Sequence, residues 1–354
     1  MSDIASGHPH GRAASETGAD PDGMRPDEPL DEALDDVPAA GEPTLLTVPA
    51  GQRADRLDKV LAALLTEHSR SRLQGWIEDG HVRVNGAPAR IRTLVGPADR
   101  IEVRAQPSPE SLAFAPEPIA FTVVADSADW IVVDKPAGLV THPGAGNWHG
   151  TLLNGLLHRY PELARVARAG IVHRLDKDTS GLMVVARNET AQTHLVRQLQ
   201  ARTVGREYLA LVHGRFANAC GTVDRPLGRD ARVPVRMSVD RPIAPKPAVT
   251  HYRTDRQGDV AGEGLHAAAA PVTQVICRLE TGRTHQIRVH MASLGHPLLG
   301  DILYGGRALA GAVRQMLHAR ALRFDDPAGS APLSFESSVP DDMLAVQEAI
   351  RWNS

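Results

Sequence analysis

Residues 171–188 read Ile-Val-His-Arg-Leu-Asp-Lys-Asp-Thr-Ser-Gly-Leu-Met-Val-Val-Ala-Arg-Asn. The pattern predicts strand, polar turn, strand. Ile171, Val172 and Leu175 lead in, and Asp-Thr-Ser-Gly at 178–181 supplies turn chemistry. Leu182–Ala186 is a short apolar run suited to a buried strand. His173, Arg174, Asp176, Lys177 and Asp178 therefore set two carboxylates and three potential cations against apolar sequence, within six positions. Burying a carboxylate is costly unless a cation or donors compensate it. A surface hairpin with its charges in water fits the same spacing, so spacing alone leaves a buried charged site and a solvated turn both open.

Further blocks stand on either side. They are Val-Asp-Lys-Pro-Ala-Gly-Leu-Val-Thr-His-Pro-Gly at 133–144, Arg-Glu-Tyr at 206–208, Leu-Glu-Thr-Gly-Arg-Thr-His-Gln-Ile-Arg-Val-His-Met at 279–291 and Gly-His-Pro-Leu-Leu-Gly-Asp at 295–301. With His-Arg-Leu-Asp-Lys-Asp-Thr-Ser-Gly-Leu, this order of blocks resembles the RluA-type family of RNA pseudouridine synthases over roughly residues 45–352. Within the family it is most similar to the ribosomal large subunit pseudouridine synthase D group. The resemblance implies an isomerase that converts uridine to pseudouridine in large-subunit ribosomal RNA, in the stem-loop called helix 69. A transfer RNA target, and an RNA-binding assembly factor with secondary catalysis, are the alternatives.

The same resemblance assigns roles. Asp176 matches the nucleophile and Arg288 its cationic partner, with a structural ion pair elsewhere as the alternative for Arg288. Tyr208 matches the tyrosine held to stack on the flipped base and to act in acid–base chemistry. Its alternative is a core tyrosine, and an ordinary phenol pKa near ~10 makes it a reluctant base. Arg174 matches the arginine that enters the space left by the flipped base, with a salt bridge to Asp178 as alternative. His173, Lys177, Arg206 and Arg283 are candidates for phosphate or base contacts. Isomerisation exchanges no atoms, so no cofactor is implied. His142, His285, His290 and His318 have no zinc-type spacing, so no metal is expected.

Before these blocks, residues 53–104 have the pattern of a small unit. Leu57, Val60, Leu61 and Leu64 share a helical face, Ser69 or Ser71 caps a second helix that Gly80 ends, and Asn85-Gly86 marks a hairpin. This resembles an S4 RNA-binding domain, with Arg56, Lys59, Arg70, Arg72 and Arg83 as its candidate phosphate contacts. The remainder predicts many strands interspersed with a few helices, an α+β class. The resemblance sharpens that to a mixed, mostly antiparallel sheet of the pseudouridine synthase fold with flanking helices. Strands are expected at 121–125, 130–133, 206–213, 272–280 and 317–324, and helices at 151–160, 190–201, near Thr284 and at 340–352. The expected organisation is a disordered acidic leader over 1–43, the S4-like domain over 44–105, a Pro-rich linker over 106–118 and the catalytic domain over 119–354. The Gly/Ala-rich stretch 258–270 is expected to be a flexible insertion.

Charge follows the same division. The 354 residues carry a net charge of -3, but 1–43 hold eleven acidic residues against two arginines. The rest, with 37 basic and 31 acidic residues, is net +6, as phosphate contact requires. Mean hydropathy is -0.23, no apolar run approaches the ~18 residues of a membrane span, and no secretory signal opens the sequence. Cys220 and Cys277 have neither metal nor disulfide spacing. The expectation is a cytoplasmic protein acting on large-subunit ribosomal RNA or a pre-ribosomal particle, with no membrane and no obligatory protein partner.

Overall fold

Seven consecutive buried residues, Ser180–Ala186, form the strand that leaves the charged loop. An apolar run free of charge is stable only with both faces covered, so it lies inside a sheet rather than at its edge. The computed structural model describes residues 43–106, 113–144, 146–261, 269–329 and 331–353. The chain divides between Ala115 and Pro116 into two units. Outside the described residues lie the acidic leader except Pro43, residues 107–112 of the expected linker, and residues 262–268 of the expected insertion.

The first unit contains β1 (Thr44–Thr47), β2 (Asp55–Arg56), α1 (Leu57–Leu64), α2 (Arg70–Glu78), β3 (Val82–Val84), β4 (Ala87–Pro88), β5 (Leu94–Val95) and β6 (Arg100–Val103). Its sheet has the order β1-β6-β3-β4, with β2 paired to β5. Leu57, Val60 and Leu61 of α1 pack with Leu73, Trp76 and Ile77 of α2 over Val82, Ile101 and Val103. Ser69 caps α2 by accepting from the Arg72 amide at 3.3 Å. Asn85 (φ 50°) and Gly86 (φ 82°) make the left-handed pair that a two-residue hairpin requires.

The second unit contains β7 (Thr122–Asp126), β8 (Trp130–Lys135), α3 (Leu152–Arg159), β9 (Ser180–Ala186), α4 (Glu189–Gln200), β10 (Gly205–His213), β11 (Cys220–Asp224), β12 (Leu227–Asp230), β13 (Met237–Ser238), β14 (Pro242–Lys246), β15 (Val249–Val260), β16 (Ala270–Leu279), α5 (Gln286–Ser293), β17 (Leu317–Asp325), β18 (Pro332–Glu336), α6 (Asp341–Glu348) and β19 (Arg351–Trp352). Among the described residues, ten strands form one sheet in the order β11-β15-β16-β10-β17-β9-β8-β7, with β18 on β17 and β19 on β15. Every pair is antiparallel except β9 with β17. At that junction Gly181 (φ +114°) lets the strands meet, because a Cβ there would fall 2.3 Å from the Ala319 carbonyl oxygen. The sheet buries both faces. Tyr208, Ala210 and Val212 of β10 join the core beneath α3, while Leu209 and Leu211 join the core beneath α6.

Two expectations are corrected. The first arm of the expected hairpin is not a strand: residues 172–179 are irregular, and only Ile171 bridges to Val185. β9 already has β8 along one side and β17 at its start, which leaves the incoming chain a short exposed stretch of edge. The last helix stops at Glu348 rather than running to Trp352, because Arg351–Trp352 leaves it to pair with β15. There the Trp352 ring lies 4.5 Å from the Arg256 guanidinium.

Candidate active site

The loop from Leu175 to Asp178 is held by its carbonyls. Thr141 Oγ1 donates to Leu175 O at 2.8 Å, and the Thr179 amide to Asp176 O at 3.0 Å. Lys177 O receives the Gly138 amide at 2.9 Å and Lys135 Nζ at 3.0 Å, and Asp178 O receives Arg314 Nη1 at 2.9 Å. Four consecutive acceptors are satisfied, mostly by distant elements, so the backbone that aims Asp176 is fixed. Lys135 also donates to Pro136 O and Leu139 O, at 2.9 and 2.8 Å, from a fully buried position. Burial pushes its pKa down to about 7 against the pull of Asp176 and Asp178, while three carbonyl acceptors match the three N–H donors of the ammonium form. Neither Lys135 nor Arg314 is marked out by its place in the sequence.

The Asp176 side chain is 17% exposed, and its Oδ2 accepts from Arg288 Nη1 at 3.3 Å. Burial alone would raise its pKa. The charges of His285, Arg288 and Arg174, with the Arg288 hydrogen bond, outweigh burial and hold it below the usual carboxylate range. The nucleophile candidate is thus ionised in a largely buried position. Arg288, on α5, is itself buried and gives its other nitrogens to Asp301: Nε to Oδ2 at 2.7 Å and Nη2 to Oδ1 at 2.9 Å. Burial disfavours its charge, but the hydrogen bond to Asp301 and the charges of both aspartates raise its pKa. The Tyr304 ring sits 5.0 Å from the Arg288 guanidinium. Tyr304 Oη lies 2.7 Å from His285 Nδ1 and accepts from the Met237 amide at 2.9 Å. His285 sits at φ 55°, the strained entry to α5. Asp301 and Tyr304 had no role in the sequence reading, because they meet Arg288 only through the fold, and His285 was weighed there only as a metal candidate, polar anchor or RNA contact.

Tyr208 is 5% exposed and belongs to the core. Burial raises its pKa against the opposing charge of Arg206, with a smaller upward push from Asp176. The raised pKa keeps the phenol protonated at neutral pH, so it is not a base there. His173 is corrected from an RNA contact to a structural pin. Its Nε2 accepts from the Val184 amide at 3.1 Å, standing in for the carbonyl of a missing strand. Burial, aided by Arg206, takes its pKa down to about 3, so it carries no charge for a phosphate. Arg206 is buried at 7% exposure, donates to Glu280 O at 3.3 Å and presses on Gly282, which suits neither a surface phosphate contact nor free movement. Arg174 and Lys177 are exposed beside Asp176, and Arg283 is exposed with Nε on Pro247 O at 3.3 Å.

In the first unit, Arg56 and Arg70 are partly exposed and take part in an ion-pair cluster. Both give their guanidinium donors to Asp58, which is fully buried, with Arg70 Nη2 at 2.6 Å. Arg72 donates to Gln106 O at 2.7 Å and lies 5.2 Å from the Trp76 ring centre. Lys59 pairs with Asp55 at the surface, and Arg83 is exposed on β3. A basic ribbon went unread in the sequence: β13-β12-β14 carries Arg229, Arg232, Arg236, Arg241 and Lys246. Arg236 reaches the Tyr304 ring at 5.3 Å, which ties the ribbon to the site. Among the described residues no group of His, Cys, Asp and Glu has the form of a metal site, and no helix is long and apolar enough to cross a membrane.

An ionised carboxylate on a clamped loop, with one guanidinium on it, has the chemistry needed to act on an electrophilic carbon such as a sugar C1′. Comparison with known proteins narrows the class. The model of the RNA pseudouridylate synthase family matches residues 129–293, and that of the S4 domain matches residues 55–101. The chain is 47% identical over 319 residues to a protein named ribosomal large subunit pseudouridine synthase D from Vibrio parahaemolyticus, covering 86% of this chain and 94% of that one. It is 48% identical over 314 residues to one of the same name from Nitrosomonas europaea, covering 86% and 87%. Among solved structures, human RNA pseudouridylate synthase domain containing 1 is similar at 29% identity with a TM-score of 0.51, covering 67% of this chain and 91% of that one. This chain belongs to the RNA pseudouridylate synthase family, and it is an isomerase acting on RNA.

Proposed function

We propose that this enzyme isomerises uridine in large-subunit ribosomal RNA, in the helix 69 stem-loop, with Asp176 as its nucleophile. The observation that carries the reading is the carbonyl-clamped loop that presents an ionised Asp176 to Arg288 at 3.3 Å. The target uridine leaves its stack to reach this carboxylate, and Arg174, exposed beside it, enters the gap. The bond from N1 to C1′ breaks as the Asp176 carboxylate bonds to C1′; the ring turns; C5 joins C1′ as the bond to Asp176 breaks and the carboxylate is regenerated. The C5 proton then leaves, and the former N1 gains one, so atoms balance. Tyr208 holds the ring by stacking. The basic ribbon, with Lys59 and Arg83 of the S4 domain, grips phosphates without reading sequence. The names of the similar proteins support the ribosomal substrate.

The test is to incubate wild type and Asp176→Ala with unmodified large-subunit ribosomal RNA and to map pseudouridine by chemical probing. New signal in helix 69 with wild type alone is the expected result. Signal elsewhere would overturn the choice of stem-loop, and its absence with wild type would overturn the substrate.

A further inference from the structure

We propose that Asp301 is a positioning residue that turns the two-pronged grip of Arg288 away from Asp176 and so leaves the nucleophile loosely held. The inference rests on the function proposed above. A guanidinium beside a carboxylate closes on it with two parallel hydrogen bonds where it can. Arg288 makes that fork with Asp301, through Nε at 2.7 Å and Nη2 at 2.9 Å. Only Nη1 reaches Asp176, at 3.3 Å and on Oδ2 alone. A carboxylate gripped at both oxygens would be ionised but poorly nucleophilic. With one long contact, Asp176 keeps the stabilising charge, and Arg288 does not engage Oδ1.

Asp301 is well built for the task. It is 2% exposed and sits in a closely packed turn. Gly300 before it has φ +73°, and a Cβ there would lie 2.0 Å from the Arg314 carbonyl oxygen. Gly306 approaches so closely that a Cβ would lie 1.9 Å from Leu298 O, and its amide donates to Asp301 O at 2.8 Å. A backbone pinned on both sides holds the Asp301 carboxylate, and through it the guanidinium plane. The charged and titratable groups around Asp176 are Arg288, His285, Arg174, Lys135, Tyr208 and Tyr304. None of these groups accepts from both prongs of the Arg288 fork, since none carries a carboxylate.

The experiment compares wild type, Asp301→Asn and Asp301→Glu by single-turnover pseudouridine formation at saturating RNA across pH. In Asp301→Asn the freed guanidinium closes on Asp176. The rate constant is expected to fall at least about 10-fold with KM within about 2-fold, and the acid limb to move to lower pH. Asp301→Glu keeps the charge; its acid limb is expected to stay at the wild-type position and its rate loss to be the smaller of the two. An acid limb unmoved in Asp301→Asn would overturn the proposal, as would a Glu variant as impaired as the Asn variant. Should the Asn variant fail to fold, a shifted acid limb in Asp301→Glu would still overturn it. Inactive wild type would instead overturn the function on which the proposal rests.

Discussion

The tetrapeptide Arg-Leu-Asp-Lys occurs twice in this chain, at 56–59 and at 174–177. Asp58 starts helix α1 in the S4 domain, fully buried, with Arg56, Arg70 and Gln74 all donating to its carboxylate. Asp176 sits in a clamped loop with one 3.3 Å contact from an arginine whose fork is spent on Asp301. Both carboxylates are ionised: Asp58 is held at about 2, where burial is outweighed by its donors. The saturated carboxylate is a rivet, while the sparsely held one can react. What separates them is the number and reach of the donors, which the four residues themselves do not encode.

The comparison breaks if the two aspartates respond alike. Asp176→Asn is expected to lower the isomerisation rate by about 10⁴-fold while the protein stays folded, read by single-turnover assay and circular dichroism. Lys135→Met comes next, because it strips three carbonyls of their shared donor and replaces it with nothing polar. A loss on the order of 3 kcal/mol in denaturant unfolding is expected, with a lower rate constant at saturating RNA. An unchanged stability would mean that the loop clamp is dispensable. Asp58→Asn keeps the shape but removes the charge that Arg56 and Arg70 neutralise. About 2 kcal/mol is expected to be lost from the S4 domain, with RNA binding weakened and the rate at saturating RNA within about 2-fold of wild type.

Acid titration sharpens the same contrast at the smallest scale. The folded pKa of Asp58, about 2, lies below its unfolded value of 3.8. Its contribution is therefore complete above pH ~4 and is lost as pH falls through ~2. Wild type is expected to lose on the order of 2 kcal/mol in that window more than Asp58→Asn does. Equal acid sensitivity of the two proteins would remove Asp58 as the source.

The sequence made some of this legible because the controlling interactions are local. The alternation of Arg206–His213 and the Asn85-Gly86 turn gave β10 and the β3–β4 hairpin directly. Asp176 and Arg288 were found by resemblance, and the structure brings them together across 112 positions. What failed was whatever depends on distant partners. Ile171–Leu175 has strand-forming residues, yet its place is an edge already largely occupied, so His173 became a pin rather than a cation. The β12–β14 ribbon hid because prolines at 226, 234, 242, 245 and 247 break the alternation that marks a strand. Asp301 ends the Gly-His-Pro-Leu-Leu-Gly-Asp block, and nothing in its spacing from Arg288 announces the fork.

The central claim is that identical residues in the chain differ because one carboxylate is saturated and the other is not. RNA carrying tritium at uridine C5 tests this most directly, since loss of that proton accompanies isomerisation. Wild type and Asp58→Asn are expected to release tritium at similar single-turnover rates with RNA in excess, while Asp176→Asn releases none above background. Tritium release by Asp176→Asn within about 100-fold of wild type, or an Asp58→Asn protein as inert as Asp176→Asn, would contradict the account.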